Sequence, residues 1–150
     1  MVETMRLTLH PASREEMEAL MTAQEDPAMR AAYREMLDGC LKHPAQWLWY
    51  AAWLIALKDG MPIGDACFKG LAEDRTVEIG YGIYVPHEGQ GYATEAVDAM
   101  VRWALRQPGV TRVEAETAPG NAASQRVLAK CGFRPTETLG KEGPRFVRLP

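Results

Sequence analysis

The chain has 150 residues, enough for one domain that buries a core of its own without disulfide or metal staples. Its 17 Lys and Arg against 20 Asp and Glu leave a formal charge of -3, which argues against charge-driven binding of nucleic acid. The longest uncharged apolar run, Trp47 to Leu57, falls well short of the roughly twenty residues that cross a bilayer, so no membrane partner is expected.

The start "MVETMRLTLHP" has no charged leader, apolar block or cleavage site, and a cytoplasmic location is the expectation. Cys40, Cys67 and Cys131 are scattered and odd in number, so neither a disulfide framework nor a metal set is expected. His10, His43 and His87 show no metal-ligand spacing either.

In chain order, Met5, Leu7 and Leu9 alternate with Thr4, Arg6 and Thr8, the period of a half-buried strand. Ser13 with Glu16 is a capping box and opens a helix. Asp26-Pro27 starts a second helix that Gly39 is expected to end. Trp47 to Leu57 is expected as a strand, with Trp47, Trp49 and Trp53 on one face in the core and Tyr50 opposite. Asp59-Gly60 between two apolar runs marks a hairpin. The strand beginning at Pro62 therefore returns antiparallel, and "GLAEDR" turns the chain into a third strand from Thr76 to Pro86.

A helix follows Gly91, its inner face carrying Ala93, Ala96, Val97, Met100 and Ala104, and Pro108-Gly109 stops it. "VTRVEAETA" is the next strand. Asn121 caps a helix that begins near Ala122 and ends at Gly132, with Ser124, Val127, Leu128 and Cys131 on one face. "FRPTETL" and "PRFVRLP" close the chain as strands. Hairpins stand where a doubly wound domain would have helices, so the order predicts a mixed sheet in one α+β domain spanning 1–150.

Between the Thr76 strand and its following helix lies "GQGYATEA". A helix N-terminus offers free amides and partial positive charge, and glycine lets an anion approach without a Cβ in the way. The amides from Gln90 through Gly91, Tyr92, Ala93 and Thr94 are thus candidates for a diphosphate, with a plain tight turn as the alternative. Thr94 stands where a dinucleotide fingerprint has its third glycine, and no Gly-Lys-Ser/Thr follows.

"VEIGYGIYVPHEGQGYATEAV", followed by "NAASQRVLAKCGF", resembles the GNAT superfamily of acyl-CoA-dependent N-acyltransferases, most of all its ribosomal-protein N-acetyltransferase branch. The resemblance covers Thr76 to Phe133 and departs at Pro86, where many members carry Gln or Arg. It implies a central, largely antiparallel sheet of about seven strands that splays between the fourth and fifth, flanked by about four helices. It implies acetyl-CoA as acyl donor. The backbone of Ile83 and Val85 would pair with pantetheine, and the turn from Gly89 to Thr94 would hold the pyrophosphate.

The implied reaction is direct attack of a primary amine on the thioester within a ternary complex. A lysine-like amine has a pKa of about 10 and must lose a proton before it attacks. Glu78 is the first candidate base and Glu116 its rival. Ser124, in the family pattern Asn-x-x-Ser, would face the coenzyme sulfur and donate to the leaving thiolate, and Asn121 would touch pantetheine as well as capping its helix. Tyr81 and Tyr84 are candidate proton donors with plain packing as the favoured alternative, Arg126 and Lys130 are candidates for the 3′-phosphate with a solvated helix face as the favoured alternative, and His87 reads as a solvent-facing loop residue. A non-catalytic acyl-CoA-binding sensor or interaction module on the same fold is the alternative. The acceptor, a small molecule or a peptide, carries no motif, and an edge strand near the C-terminus leaves monomer and homodimer both open.

Overall fold

A computed structural model describes residues Met1–Pro150. Its strands are β1 (Val2–Glu3), β2 (Leu7–Pro11), β3 (Ala52–Leu57), β4 (Pro62–Phe68), β5 (Thr76–Ile83), β6 (Arg112–Glu116), β7 (Arg134–Leu139) and β8 (Pro144–Arg148). Its helices are α1 (Arg14–Ala23), α2 (Pro27–Lys42), α3 (Trp47–Tyr50), α4 (Tyr92–Leu105) and α5 (Ala122–Lys130). The strands form one sheet in the order β1-β2-β3-β4-β5-β6-β8-β7. Every neighbouring pair is antiparallel except β5 with β6. The α+β class and the mixed sheet are as expected, with one strand and one helix more than the sequence suggested.

The local signals act as their chemistry requires. Ser13 and Glu16 exchange both bonds of the capping box, and the Asp26 side chain accepts from the Ala28 amide at the start of α2. Gly60 adopts φ 95° in the hairpin between β3 and β4, a conformation that glycine alone enters freely.

Two expectations are corrected. Helix α2 does not stop at Gly39 but runs to Lys42. Gly39 is there for close approach, because a Cβ at that position would stand 2.6 Å from the Tyr50 ring. Nor is the tryptophan-rich stretch a strand from its start. Trp47–Tyr50 is a single helical turn, closed by the Ala51 amide on the Trp47 carbonyl, and extended chain begins at Ala52.

That turn sends its side chains in several directions. The Trp47 indole donates to the Ala12 carbonyl at 2.9 Å, while Trp49 joins Trp53, Phe68 and Trp103 in an aromatic cluster with ring centroids 4.9 to 6.0 Å apart. Of the three tryptophans only Trp53 is buried in the core; Trp47 and Trp49 are half-buried and pack against its edges, and the three do not share one strand face.

Helices α4 and α5 pack on one side of the sheet over the larger core, which includes Leu7, Ile55, Val77, Ile79, Met100 and Leu128. Helices α1 and α2 cover a smaller core on the other side, around Met17, Leu37, Cys40 and Ala52. What positions the site is the one parallel seam. β5 pairs with β6 only at Thr76↔Arg112, Val77↔Val113 and Glu78↔Glu114, yet β5 continues to Ile83. Past Glu78 the strands part, which is the splay the resemblance implied.

Candidate active site

The gap left by that parting is a cavity of about 520 Å³. Tyr81, Gly82 and Ile83 of β5 form one side, the turn and first residues of α4 from His87 to Thr94 a second, and α5 with Asn121, Ser124, Val127 and Lys130 a third. Gly89 and Gly91 sit at φ 78° and 81°, the left-handed region where a Cβ is strained. Gly91 is the N-cap of α4 and brings no capping side chain, so the first-turn amides face the cavity free for an acceptor from elsewhere. Arg126 and Lys130 add cationic side chains to the same wall. Donor amides, positive φ glycines and flanking cations are the set a pyrophosphate requires.

The turn is held from behind. Arg6 donates from Nη1 to the Gln90 carbonyl at 3.0 Å and from Nε to Glu95 at 2.7 Å, and its guanidinium lies 4.5 Å from the centroid of the Tyr92 ring. Thr4 also donates to Glu95. The Glu95 carboxyl lies below its usual range: burial works upward, but Thr4 and Arg6 together outweigh it. Sequence reasoning missed Arg6, which no local pattern could find because its partner lies 84 residues away.

At the inner end, Tyr81 of β5 and Ser124 of α5 face each other with Oη and Oγ 2.7 Å apart. The Asn121 side chain accepts from the Ser124 amide at 3.0 Å, capping α5 and fixing the position of the serine. Burial pushes the Tyr81 hydroxyl up, with the Ser124 contact acting against it. The phenol is therefore protonated at neutral pH and available as a donor.

The cavity gathers Ile83, Gly89, Gly91, Tyr92, Ala93, Thr94, Asn121 and Ser124. Val85 and Gln90 do not line it. Val85 opens a 3-10 turn, Val85–His87, is 77% exposed, and its carbonyl accepts from Glu88, so β5 offers extended backbone only as far as Ile83.

The candidate bases lie elsewhere. Glu78 alternates with Val77 and Ile79, which are in the α4 and α5 core, so its side chain takes the opposite face of the sheet. There Lys69 reaches it at 2.9 Å and Arg145 at 2.8 Å. Arg145 also holds Glu114 at 3.0 Å and Glu116 at 2.6 Å. Burial raises the Glu78 pKa, but Lys69 and Arg145 together bring it below the usual carboxylate range.

Glu116 is likewise held low, first by the Glu142 amide and then by Arg145. Its carboxylate occupies the space beside Gly140 where any Cβ would collide. A second cavity of about 370 Å³ lies over this cluster, lined by Tyr50, Lys69, Glu78, Glu114 and Arg145 among others. No group of His, Cys, Asp and Glu is arranged to hold a metal ion, and no helix is long and apolar enough to cross a membrane.

Residues 6–134 match the family model described as an acetyltransferase (GNAT) domain. An uncharacterized N-acetyltransferase, YjdG, from Bacillus subtilis is 34% identical over 56% of this chain, and the match spans about half, 51%, of that relative's length. Two solved structures from Vibrio cholerae share the fold. One, described as a proposed ribosomal-protein-serine acetyltransferase, superposes with a TM-score of 0.71 at 20% identity over 99% of this chain and 97% of its own. The other is a spermidine N-acetyltransferase in complex with CoA and spermine, with a TM-score of 0.77 at 15% identity over 97% of this chain and 96% of its own.

Proposed function

The chain belongs to the GNAT acetyltransferase family, and from that premise we propose that it transfers an acetyl group from acetyl-CoA to a primary amine by direct attack on the thioester. The observation that carries the reading is the cavity itself, which joins an uncapped helix N-terminus at one end to the Tyr81–Ser124 pair at the other.

The pyrophosphate takes the amides from Gly91 to Thr94, pantetheine runs inward beside β5 to Ile83, and the thioester lies at the point where β5 and β6 separate. The neutral amine attacks the carbonyl carbon, the N–C bond forms, and the oxyanion collapses to break the C–S bond. The thiolate leaves with a proton from the Tyr81–Ser124 pair, and the proton shed by the amine passes to a base or to water. Glu78 is the first assignment for that base and Glu116 the second. Both are ionised at neutral pH and so able to accept, though the pairing with Arg145 lowers their basicity.

Calorimetric titration of acetyl-CoA, with NAD and ATP in parallel, tests the cradle. Selective binding of acetyl-CoA is expected. Thiol release across a panel of primary amines then tests transfer. A positioned proton donor contributes roughly 10²-fold or more, so Tyr81→Phe should cut kcat by about that factor while the acetyl-CoA affinity holds. Absence of binding to both CoA and acetyl-CoA would sink the reading. Binding without thiol release from any amine would favour the non-catalytic acyl-CoA-binding module.

A further inference from the structure

Six partly buried carboxylates, Glu16, Glu78, Glu95, Asp98, Glu114 and Glu116, each lie against an Arg, Lys or His side chain. Asp65 on β4 is the exception. It is also partly buried, and the partner it has is a hydroxyl: Tyr33 of α2, itself 2% exposed, donates to Oδ2 at 2.5 Å. Oδ1 takes no bond within the protein, and no cation pairs with the group. Lys69, the amine on the same face of the sheet, is already engaged by Glu78. A half-buried carboxylate without a counter-charge is costly, and burial accordingly raises the pKa of Asp65 against the opposing bond from Tyr33.

Its place in the sheet gives that cost a use. Asp65 stands directly across from Gly82, and Cys67 across from Gly80. Paired residues share a face, and neighbouring strands are about 4.8 Å apart. Gly82 borders the active-site cavity, and a Cβ placed on it would meet nothing within 4 Å. The face of β5 over Gly82 is therefore open beside Asp65. Tyr33 thus holds from one side a carboxylate that has no counter-charge and stands beside a bare glycine. A carboxylate with a free oxygen and no counter-charge is the chemistry that recognises an alkylammonium.

We propose that Asp65, fixed by Tyr33, is the docking carboxylate for the acceptor, pairing with an aliphatic ammonium group that enters over Gly82. This makes the acceptor class a cationic alkyl amine. The transfer step after docking rests on the acetyltransferase reading, whereas the docking itself does not.

The test is binding of n-hexylammonium chloride, with hexan-1-ol as its neutral counterpart, to the wild type and to Asp65→Asn, Asp65→Ser and Asp65→Glu, with and without CoA. Asn and Ser should weaken ammonium binding by about tenfold or more, the scale of a hydrogen bond to a charged group. Glu should retain most of it, while hexan-1-ol binding and CoA affinity stay unchanged in every variant. Unchanged ammonium affinity in Asn and Ser, or an equal loss of hexan-1-ol, would overturn the proposal. So would unfolding of both neutral variants, which would assign Asp65 to the fold. Thiol release from acetyl-CoA with hexylamine is scored separately in the wild type. Ammonium binding that depends on Asp65 without release would overturn the transferase reading alone, and release with unaltered binding in Asn and Ser would overturn the docking role alone.

Discussion

Glu78 shows how a single side chain is pulled between two roles. A base needs a pKa near the working pH, but two cations hold this carboxylate below its ordinary value, with burial opposing them. If it takes the amine's proton, it does so as a weak base whose ionised fraction is already complete at neutral pH. Glu78→Gln should then lower kcat by roughly tenfold or more and leave acetyl-CoA affinity alone, because Glu78 does not line the coenzyme cavity. The rate should still rise with pH in the variant, since the amine's own deprotonation persists. A kcat equal to that of the wild type from pH 6 to 9 would remove Glu78 from the proton path. Glu116 is the poorer candidate, because its oxygens already serve the Glu142 amide and Arg145.

At the scale of elements, the cradle is a strand-to-helix turn clasped by the connection between β1 and β2. Arg6 ties the Gln90 carbonyl and Glu95 together across the turn. Losing it should leave the helix intact and let the turn wander, so that bound coenzyme must order it again. Arg6→Ala is expected to weaken acetyl-CoA binding by about three- to tenfold, the worth of one or two exposed charge-assisted bonds. Lys at this position should restore only part of that loss, because an ammonium cannot supply the same forked contacts. Equal calorimetric affinity in wild type and Arg6→Ala would show that the turn holds itself.

The turn and the cap at Asn121 were legible in the sequence because glycine geometry and capping act within a few residues. Arg6 was not, and neither was the helical turn at Trp47. Periodicity cannot tell a short apolar helix from a strand, and the indole bond to Ala12 and the aromatic cluster that choose the helix are tertiary. Asp65 gave no signal either, since an acid in a strand reads as solvent-facing until the neighbouring helix lays Tyr33 over it.

Across the whole molecule, the same parting of β5 and β6 that opens the cavity also leaves the sheet joined there by three residue pairs. Arg145, reaching from β8 to Glu116 and Glu114 of β6 and on to Glu78 of β5, spans that short seam from one face. Arg145, its three carboxylate partners and Lys69 are at most half exposed, the carboxylates at 8 to 23%. Replacing Arg145 by Met should destabilise the fold by roughly 2 kcal/mol, less than for a fully buried pair because water still reaches the cluster.

The effect should depend on pH in a defined direction. Glu78 and Glu116 have folded pKa values below their unfolded ones, so their contribution is complete above the unfolded value of about 4.3 and disappears as pH falls through the folded values. In Arg145→Met the carboxylates repel one another, and protonation relieves that repulsion. Urea midpoints for wild type and variant should therefore lie furthest apart at pH 7 and converge toward pH 3. A gap that stays constant over that range would mean that Arg145 supports the seam by packing alone.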